Sequence, residues 1–298
     1  MLTTMRELAG RIARLHASPT HPVWLDGLRV NVSTTTSAGM GGLTRPVLAL
    51  VAQGAKQTTL ADRVYDYRAG QYLIASLELP VTGRITRASA AEPFIGLGLP
   101  LRREVITELL LETGGGSRAD DDAGSGIVTA DADEELLDAV VRLLRLLDRP
   151  ADFTVLGPGV EREIHWHLMN GPRGAAVRRI GMEDSRVSLV GRATQWISRH
   201  FDRTIRIADL ADEIGVSVAT LNRHFRAVTA MSPLQYQKQL RLQQARLRLM
   251  AAPDDVAAVG YAVGYDSPSQ FSREYRRLFG EPPGRDMHRI QEYTEVGA

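Results

Sequence analysis

There is no cysteine among the 298 residues. Disulfides, thiolate zinc sites, iron–sulfur clusters and thiol catalysis are thereby excluded. Nor does the chain anywhere run through the roughly 18 uninterrupted apolar residues of a membrane span. The N-terminal Met1–His16 mixes Arg and Glu into its apolar positions, so neither a membrane-spanning nor a Sec-exported chain is expected. Lysine is confined to Lys56 and Lys238, and nearly all basic charge is arginine. What remains is ordinary globular composition, 44% hydrophobic and 24% charged. At roughly 100–200 residues per domain the length suggests two domains, or one large one.

The overall balance of 36 Lys and Arg against 35 Asp and Glu conceals a segregation. From Arg186 to Ala298 there are 16 basic and 12 acidic residues, a net of +4, which leaves 20 and 23, a net of −3, for the 185 residues before. A basic C-terminal third behind an acidic N-terminal part fits a nucleic-acid-binding module joined to a different kind of domain. Random surface variation gives similar numbers, so the motifs must decide.

Between Arg45 and Leu101 the chain reads as short strands, Val47–Ala52, Gln57–Tyr67, Tyr72–Leu77, Val81–Thr86 and Phe94–Leu101. Gly54, Ala69-Gly70, Pro80 and Glu92-Pro93 punctuate them as turn signals about ten residues apart, a spacing that favours an antiparallel barrel or sandwich. Helical spacing follows over Arg102–Glu112 and dissolves at Thr113–Gly126, "TGGGSRADDDAGSG", which is too rich in Gly, Ser and Asp to bury a core and reads as a flexible loop. Further helices are expected at Glu134–Leu147, at Val160–Asn170 and from near Glu183 to about His200.

Beyond Phe201 two segments resemble one another about fifty residues apart, Ile207–Val228 and Val256–Phe279. Each reads as a short helix, a glycine-containing turn, a Ser N-cap (Ser217, Ser267) and a longer amphipathic helix, the outline of a helix-turn-helix. In the first long helix Val218, Leu221, Phe225 and Val228 form an inward stripe, leaving Ala219, Asn222, Arg223 and Arg226 outside with Thr220 at the edge. In the second, Phe271, Tyr275 and Leu278 face inward and Ser269, Gln270, Ser272, Arg273 and Arg276 outward. Arginine can pair with guanine, Asn and Gln with adenine, and Ser with a base edge or phosphate. Ser232-Pro233 then opens a linking helix over Leu234–Met250, with Leu234, Leu240, Leu242, Ala245, Leu247 and Leu249 as apolar anchors.

Here the sequence resembles a family. Residues Ile205–Asp286, with "ADLADEIGVSVATLNRHFRAVTAMSPLQYQKQLRLQQAR" and "VGYAVGYDSPSQFSREYRRLFGEPP", resemble the DNA-binding domain of the AraC/XylS-type transcription regulators. The resemblance places base-reading positions on Ala219, Asn222 and Arg223, and on Pro268, Ser269, Gln270, Ser272 and Arg273. Further upstream, "HPVWLDGLRV", "RPVLALVAQGAKQTTLADRVYDYRAGQYLIASLELPVTGRI" and "EREIHWHLMNGP" resemble the cupin-like regulatory domain attached to that module. The implied fold is α+β and multidomain: a cupin-like antiparallel β-barrel with helices over 1–182, including the loop 113–126 and a helical part 132–182, then an all-α domain over 183–298 of two helix-turn-helix units, near 207–228 and 256–279, joined by a linker helix.

The expected partners are double-stranded promoter DNA, RNA polymerase, a second copy of the chain as homodimer and a small-molecule effector whose binding residues the sequence does not reveal. A cytoplasmic, non-enzymatic regulator without cofactor is expected. Metal-dependent cupin enzymes share the architecture but need converging histidines, and none lies between Arg45 and Leu101. His165 and His167, two apart on a helix, point to different faces and do not readily share an ion. Asp120-Asp121-Asp122 lacks the spacing of a calcium loop. Arg84 and Arg87 near Lys56 could receive an anion, and Trp24, Tyr65, Tyr67 and Tyr72 could be core or ligand-lining. Regulation by abundance or by a protein partner, and a protein-interaction module without promoter specificity, stay open at this level.

Overall fold

The computed structural model describes residues 2–18, 25–114, 125–182, 185–251 and 255–288. Its first part comprises α1 (Leu2–Ala17), β1 (Arg29–Ser33), β2 (Met40–Leu43), β3 (Val47–Gln53), β4 (Ala55–Leu60), β5 (Arg63–Arg68), β6 (Gln71–Ala75), β7 (Pro80–Arg87), β8 (Phe94–Pro100), α2 (Arg103–Glu112), β9 (Ile127–Asp131), α3 (Glu134–Leu147), α4 (Pro150–Asn170) and α5 (Gly174–Gly181). Every strand pairing is antiparallel, and the strands divide into two sheets ordered β1-β8-β3-β6-β9 and β2-β7-β4-β5. The barrel is thus realised as two facing open sheets.

Strict alternation assigns each strand residue to one of two cores. Leu48 and Leu50 of β3, Ile74 of β6 and Leu97 and Leu99 of β8 face outward, onto Leu8 and Ile12 of α1 and Leu137, Val140 and Leu144 of α3. Val51, Leu73, Ala75 and Phe94 face inward, toward Leu60, Tyr67 and Ile85 of the other sheet. Because β3 and β6 are covered on both faces, their sequences are apolar except for Gln53 and Gln71 at their ends.

Several elements depart from expectation. Gln57–Tyr67 is two strands, since Ala61 takes a left-handed φ of 54° and turns β4 back into β5. The periodicity of α1 was masked in sequence by its interleaved charges, and β1, β2 and β9 are too short to show a pattern. Helix α4 starts at Pro150 instead of Val160, with Pro158 inside it. Pro158 and Thr154 are both exposed, so water can take the carbonyl that the missing N–H would have bonded. Of the loop segment 113–126, residues 115–124, including Asp120–Asp122, lie outside the described residues, as does Trp24. Ser125 is tied to the Tyr65 hydroxyl at 2.7 Å.

The second part is helical: α6 (Arg186–Arg199), α7 (Ile207–Ile214), α8 (Val218–Thr229), α9 (Pro233–Ala251), α10 (Val256–Ala262), α11 (Pro268–Phe279) and a final turn α12 at 283–288. The fifty-residue repeat survives in detail. Gly215 (φ 79°) and Gly264 (φ 89°) make the left-handed turns, Ser217 and Ser267 cap α8 and α11, and Leu221 and Phe225 correspond to Phe271 and Tyr275 in the two cores. Val218 departs from the expected stripe and is 42% exposed, being the first residue of its helix. Leu234 and Leu247 of α9 are also exposed.

Two arginines of α9 hold these units together. Arg241 donates to the carbonyl oxygens of Phe201 (2.6 Å), Arg203 (3.0 Å) and Gly264 (2.7 Å). Arg246 forms a buried bidentate pair with Asp286 of α12 at 2.8 and 3.1 Å, and the Tyr275 hydroxyl donates to the same carboxylate at 2.9 Å.

Two stability predictions follow from this packing. A Cβ at Gly215 meets nothing, so Gly215→Ala should cost only the left-handed strain of about 1–3 kcal/mol. At Gly264 a Cβ would run into the Asp202 carbonyl oxygen, so Gly264→Ala should cost clearly more, as urea unfolding of the two variants would show. Asp286→Asn leaves the Arg246 charge buried without its counter-charge and should cost roughly 3–5 kcal/mol in the same measurement.

Candidate nucleic-acid interface

Helices α8 and α11 each present a polar face because the apolar stripe is consumed by the core. On α8 the side chains of Ala219, Asn222, Arg223 and Arg226 are exposed and Thr220 is half-buried. On α11 Ser269, Gln270, Arg273 and Arg276 are exposed, while Pro268 and Ser272 are half-buried. Ser217 and Ser267 are already engaged: their hydroxyls accept the N–H groups of Thr220 at 3.2 Å and Gln270 at 3.4 Å. These two serines orient the helices and point the free amides of the first turns outward.

The four outward arginines contrast with those of α9. Among the described residues Arg223, Arg226, Arg273 and Arg276 have no side-chain hydrogen bond or ion pair, whereas Arg241, Arg246 and Arg248 are spent on carbonyls or a carboxylate. Lys238 is likewise engaged, pairing with Glu274 at 2.6 Å on the flank of α11. The Tyr265 hydroxyl donates to that glutamate at 2.9 Å, which pins the turn before α11 to its middle. Burial pushes the Tyr265 hydroxyl above the ordinary phenol range, so it stays a donor.

A seam that sequence reasoning did not anticipate joins the helices to the sheets. The Tyr236 hydroxyl of α9 donates to the Glu78 carbonyl at 3.1 Å, and Ser198 of α6 donates to the Glu78 carboxylate at 2.6 Å. Gln243 of α9 reaches the Val81 carbonyl at 3.3 Å, and Arg246 reaches that of Gly39 at 3.5 Å. The Gly126 N–H donates to the carbonyl of Val228 in α8 at 2.8 Å. Phe279, the last residue of α11, lies against Gly41 of β2, where a Cβ would come within 2.9 Å of its ring. Both α8 and α11 therefore touch the sheet part at their C-terminal ends. The glycines of "AGMGGL" were the one available signal, since close approach of two backbones requires positions without a side chain.

The metal reading of "HWH" finds its residues otherwise employed. His165 is fully buried, its Nε2 accepts the Arg102 N–H at 3.0 Å and its Nδ1 donates to the Glu161 carbonyl at 2.8 Å. Burial lowers its pKa, which keeps the ring neutral and able to accept. Glu161 pairs with Arg102 at 2.5 Å, and no three metal-ligating side chains converge among the described residues. The tyrosines divide as well: Tyr65 and Tyr67 face the inter-sheet core, while Tyr72 faces the helical layer.

The chain matches the family described as AraC-type transcriptional regulator N-terminus over residues 24–176 and a helix-turn-helix domain over residues 210–289. It is 29% identical over 93 residues to the HTH-type transcriptional activator RhaS of Pectobacterium atrosepticum, 31% of this chain and 33% of that protein. With a putative AraC-like transcription regulator of Streptomyces lividans it shares 32% over 118 residues, 40% of this chain and 38% of that one. The match thus spans about a third of the length of these curated relatives. Among solved structures, unsaturated-fatty-acid-bound ToxT of Vibrio cholerae superposes with a TM-score of 0.58 at 11% identity, covering 87% of this chain and 94% of that one. ToxT of strain O395 bound to (E)-4-(8-methylnaphthalen-1-yl)but-3-enoic acid gives 0.54 at 11%, covering 88% and 98%. These likenesses concern the fold. The first family match covers residues 24–176, more than half of the sequence, and on that ground the chain belongs to the AraC-type transcriptional regulators.

Proposed function

We propose that this protein is a sequence-specific DNA-binding transcription regulator of the cytoplasm whose sheet part senses a small molecule and whose helical part reads a promoter. The division lies at about 182/183. The observation that carries the reading is the pair of exposed helix faces on α8 and α11, repeated at a fifty-residue interval and bearing four arginines that no internal partner claims. With Arg241, Arg246 and Arg248 of α9 spent on internal acceptors, unused arginines at base-reading spacing are suited to an external acceptor.

Helix α9 sets the geometry of reading. Its 19 residues make a rod of roughly 28 Å at ~1.5 Å per residue. The repeat of the major groove is ~34 Å, so the two recognition helices suit successive groove segments on one side of the duplex. Asn222, Arg223 and Arg226 would read one half-element, and Ser269, Gln270, Ser272, Arg273 and Arg276 the other. Ala219 can add only a methyl contact. RNA polymerase and a second copy of the chain complete the proposed assembly, the latter supported by Val155 and Leu156, which stand 76% and 53% exposed on α4.

Effector control is supported by two things: the seam that ties the sheets to both recognition helices, and the fold shared with ToxT, which binds a fatty acid in one of the structures above. A ligand that shifted β2 or the β6–β7 connection would bear directly on α9 and on the ends of α8 and α11. Such a coupling needs differential affinity of the ligand for two arrangements of the seam.

Arg223→Ala and Arg273→Ala should each lose about 1–3 kcal/mol of specific binding and relax the base preference of one half-element, leaving the other unchanged. Selection of bound sites from a random DNA pool by the wild type and each variant is the measurement. Identical selected sequences for all three would show that the recognition faces are wrongly assigned, and no selected sequence for the wild type would remove the regulator reading.

A further inference from the structure

The two lysines of the chain are used differently. Lys56 lies on β4, while Arg84, paired with Gln57, takes the opposite face of the sheet and Arg87 is bonded to Glu92 at 3.1 Å, so the three do not converge on an anion as the sequence allowed. Lys238 of α9 instead belongs to a cluster built around Glu274 of α11. Both oxygens of that carboxylate are engaged from outside its own helix: Lys238 Nζ stands 2.6 Å from Oε1, and the Tyr265 hydroxyl donates to Oε2 at 2.9 Å. The Glu274 side chain is only 18% exposed. Burial opposes its ionisation, but the hydrogen bonds from Lys238 and Tyr265, with a further one from the Gln270 amide, hold the carboxyl below its ordinary range. An ionised carboxylate accepts hydrogen bonds and donates none.

Gln270 stands one turn before Glu274 on the same face of α11, at the spacing that brings helical side chains into contact. Side chains on a helix lean toward its N-terminus, so Glu274 reaches back toward Gln270. Gln270 itself is exposed in the first turn of the helix, among the outward polar residues. A glutamine amide left to itself can turn either its carbonyl oxygen or its NH2 group to a partner. Beside an acceptor whose position is fixed by two other elements, the NH2 group is drawn to the carboxylate. Oε1 and the second N–H are then left for an external partner.

Resting on the reading of α11 as a base-reading helix, we infer that Glu274 is a positioning residue for base recognition, which fixes the orientation of the Gln270 amide and so restricts it to adenine. Adenine offers an amino donor at N6 beside an acceptor at N7, the complement of an outward carbonyl oxygen and one remaining N–H. Guanine offers two acceptors, O6 and N7, and suits a glutamine free to turn its NH2 group outward. Lys238 and Tyr265 hold the carboxylate in place for this task. Lys238 also offsets its charge, which would otherwise oppose the approach of DNA phosphates.

Selection of bound sites from a random DNA pool by the full-length protein tests this, with thermal unfolding as the check that each variant folds. The position that Gln270 faces is the one whose preference Gln270→Ala abolishes. There the wild type should prefer adenine to guanine by about tenfold, within the range of a bidentate base contact. Glu274→Gln keeps the shape and an acceptor for Lys238 and Tyr265 but lets the Gln270 amide turn, so guanine should be taken nearly as well as adenine at that position while every other position keeps its preference. Lys238→Met/Glu274→Ala removes both partners of the ion pair, leaves no charge stranded and carries the same expectation. Added to Gln270→Ala, Glu274→Gln should change the selected sites no further, which a merely structural role of the carboxylate would not require. Sites unchanged by Gln270→Ala, another base preferred by the wild type there, an adenine preference that survives in both Glu274 variants, an equal loss at every position read by α11, or a further change in the combined variant would each overturn the inference and leave the regulator reading in place. No selected sequence for the wild type would remove that reading and the inference with it.

Discussion

The three carbonyl oxygens of Phe201, Arg203 and Gly264 end chain reversals, and one guanidinium, that of Arg241, donates to all three, with the Gln237 amide a second donor to Phe201 and Arg203. Buried carbonyls left without donors would each cost free energy comparable to a lost hydrogen bond. The planar fork of arginine is suited to this because its donors diverge at fixed angles, which a lysine cannot reproduce. Since Phe201 and Arg203 precede the first helix-turn-helix and Gly264 forms the turn of the second, Arg241 bridges the two units directly. Arg246 acts similarly one turn further along α9, binding Asp286 and through it Tyr275, so that α11 is fixed from its buried side.

The same helix faces the sheets. Tyr236, Gln243 and Arg246 project from α9 to the carbonyls of Glu78, Val81 and Gly39, and the inter-sheet core continues without interruption into Val190, Ile197, Phe225, Tyr236 and Leu240. Shared apolar burial of this kind resists independent motion of the two parts. The hydrogen bonds across the seam run largely to backbone carbonyls of strand ends and connections, so a small shift of β2 or β7 changes several of them together. Gln243 shows how closely the seam is drawn, since its buried Oε1 has no partner.

Legibility in the sequence followed how local the determining physics was. The helix-turn-helix units could be read almost residue by residue, because the glycine turn, the serine cap and the apolar stripe are all set within a dozen residues. The strands β3, β6 and β8 were recognisable from composition, while β1, β2 and β9 were not, being short segments whose strand state comes from their pairing partners. The single expected strand over Gln57–Tyr67 failed because nothing in "LADR" marks a turn, and only Ala61 in a left-handed conformation makes it one. Val218, Leu234 and Leu247 were placed in the core by periodicity and are exposed, since helix ends and the rim of a helix face escape the stripe.

What the sequence by itself determined is the family, the doubled helix-turn-helix unit and which faces of α8 and α11 carry the polar side chains, because helical period and capping are properties of neighbouring residues. Which charges are free was decided only by the tertiary structure. Nothing in the sequence separates Arg223 and Arg273 from Arg241 and Arg246. The distinction arises when strands pair in register and helices pack, so that some cations meet carbonyls and carboxylates from residues up to two hundred positions away and others meet none.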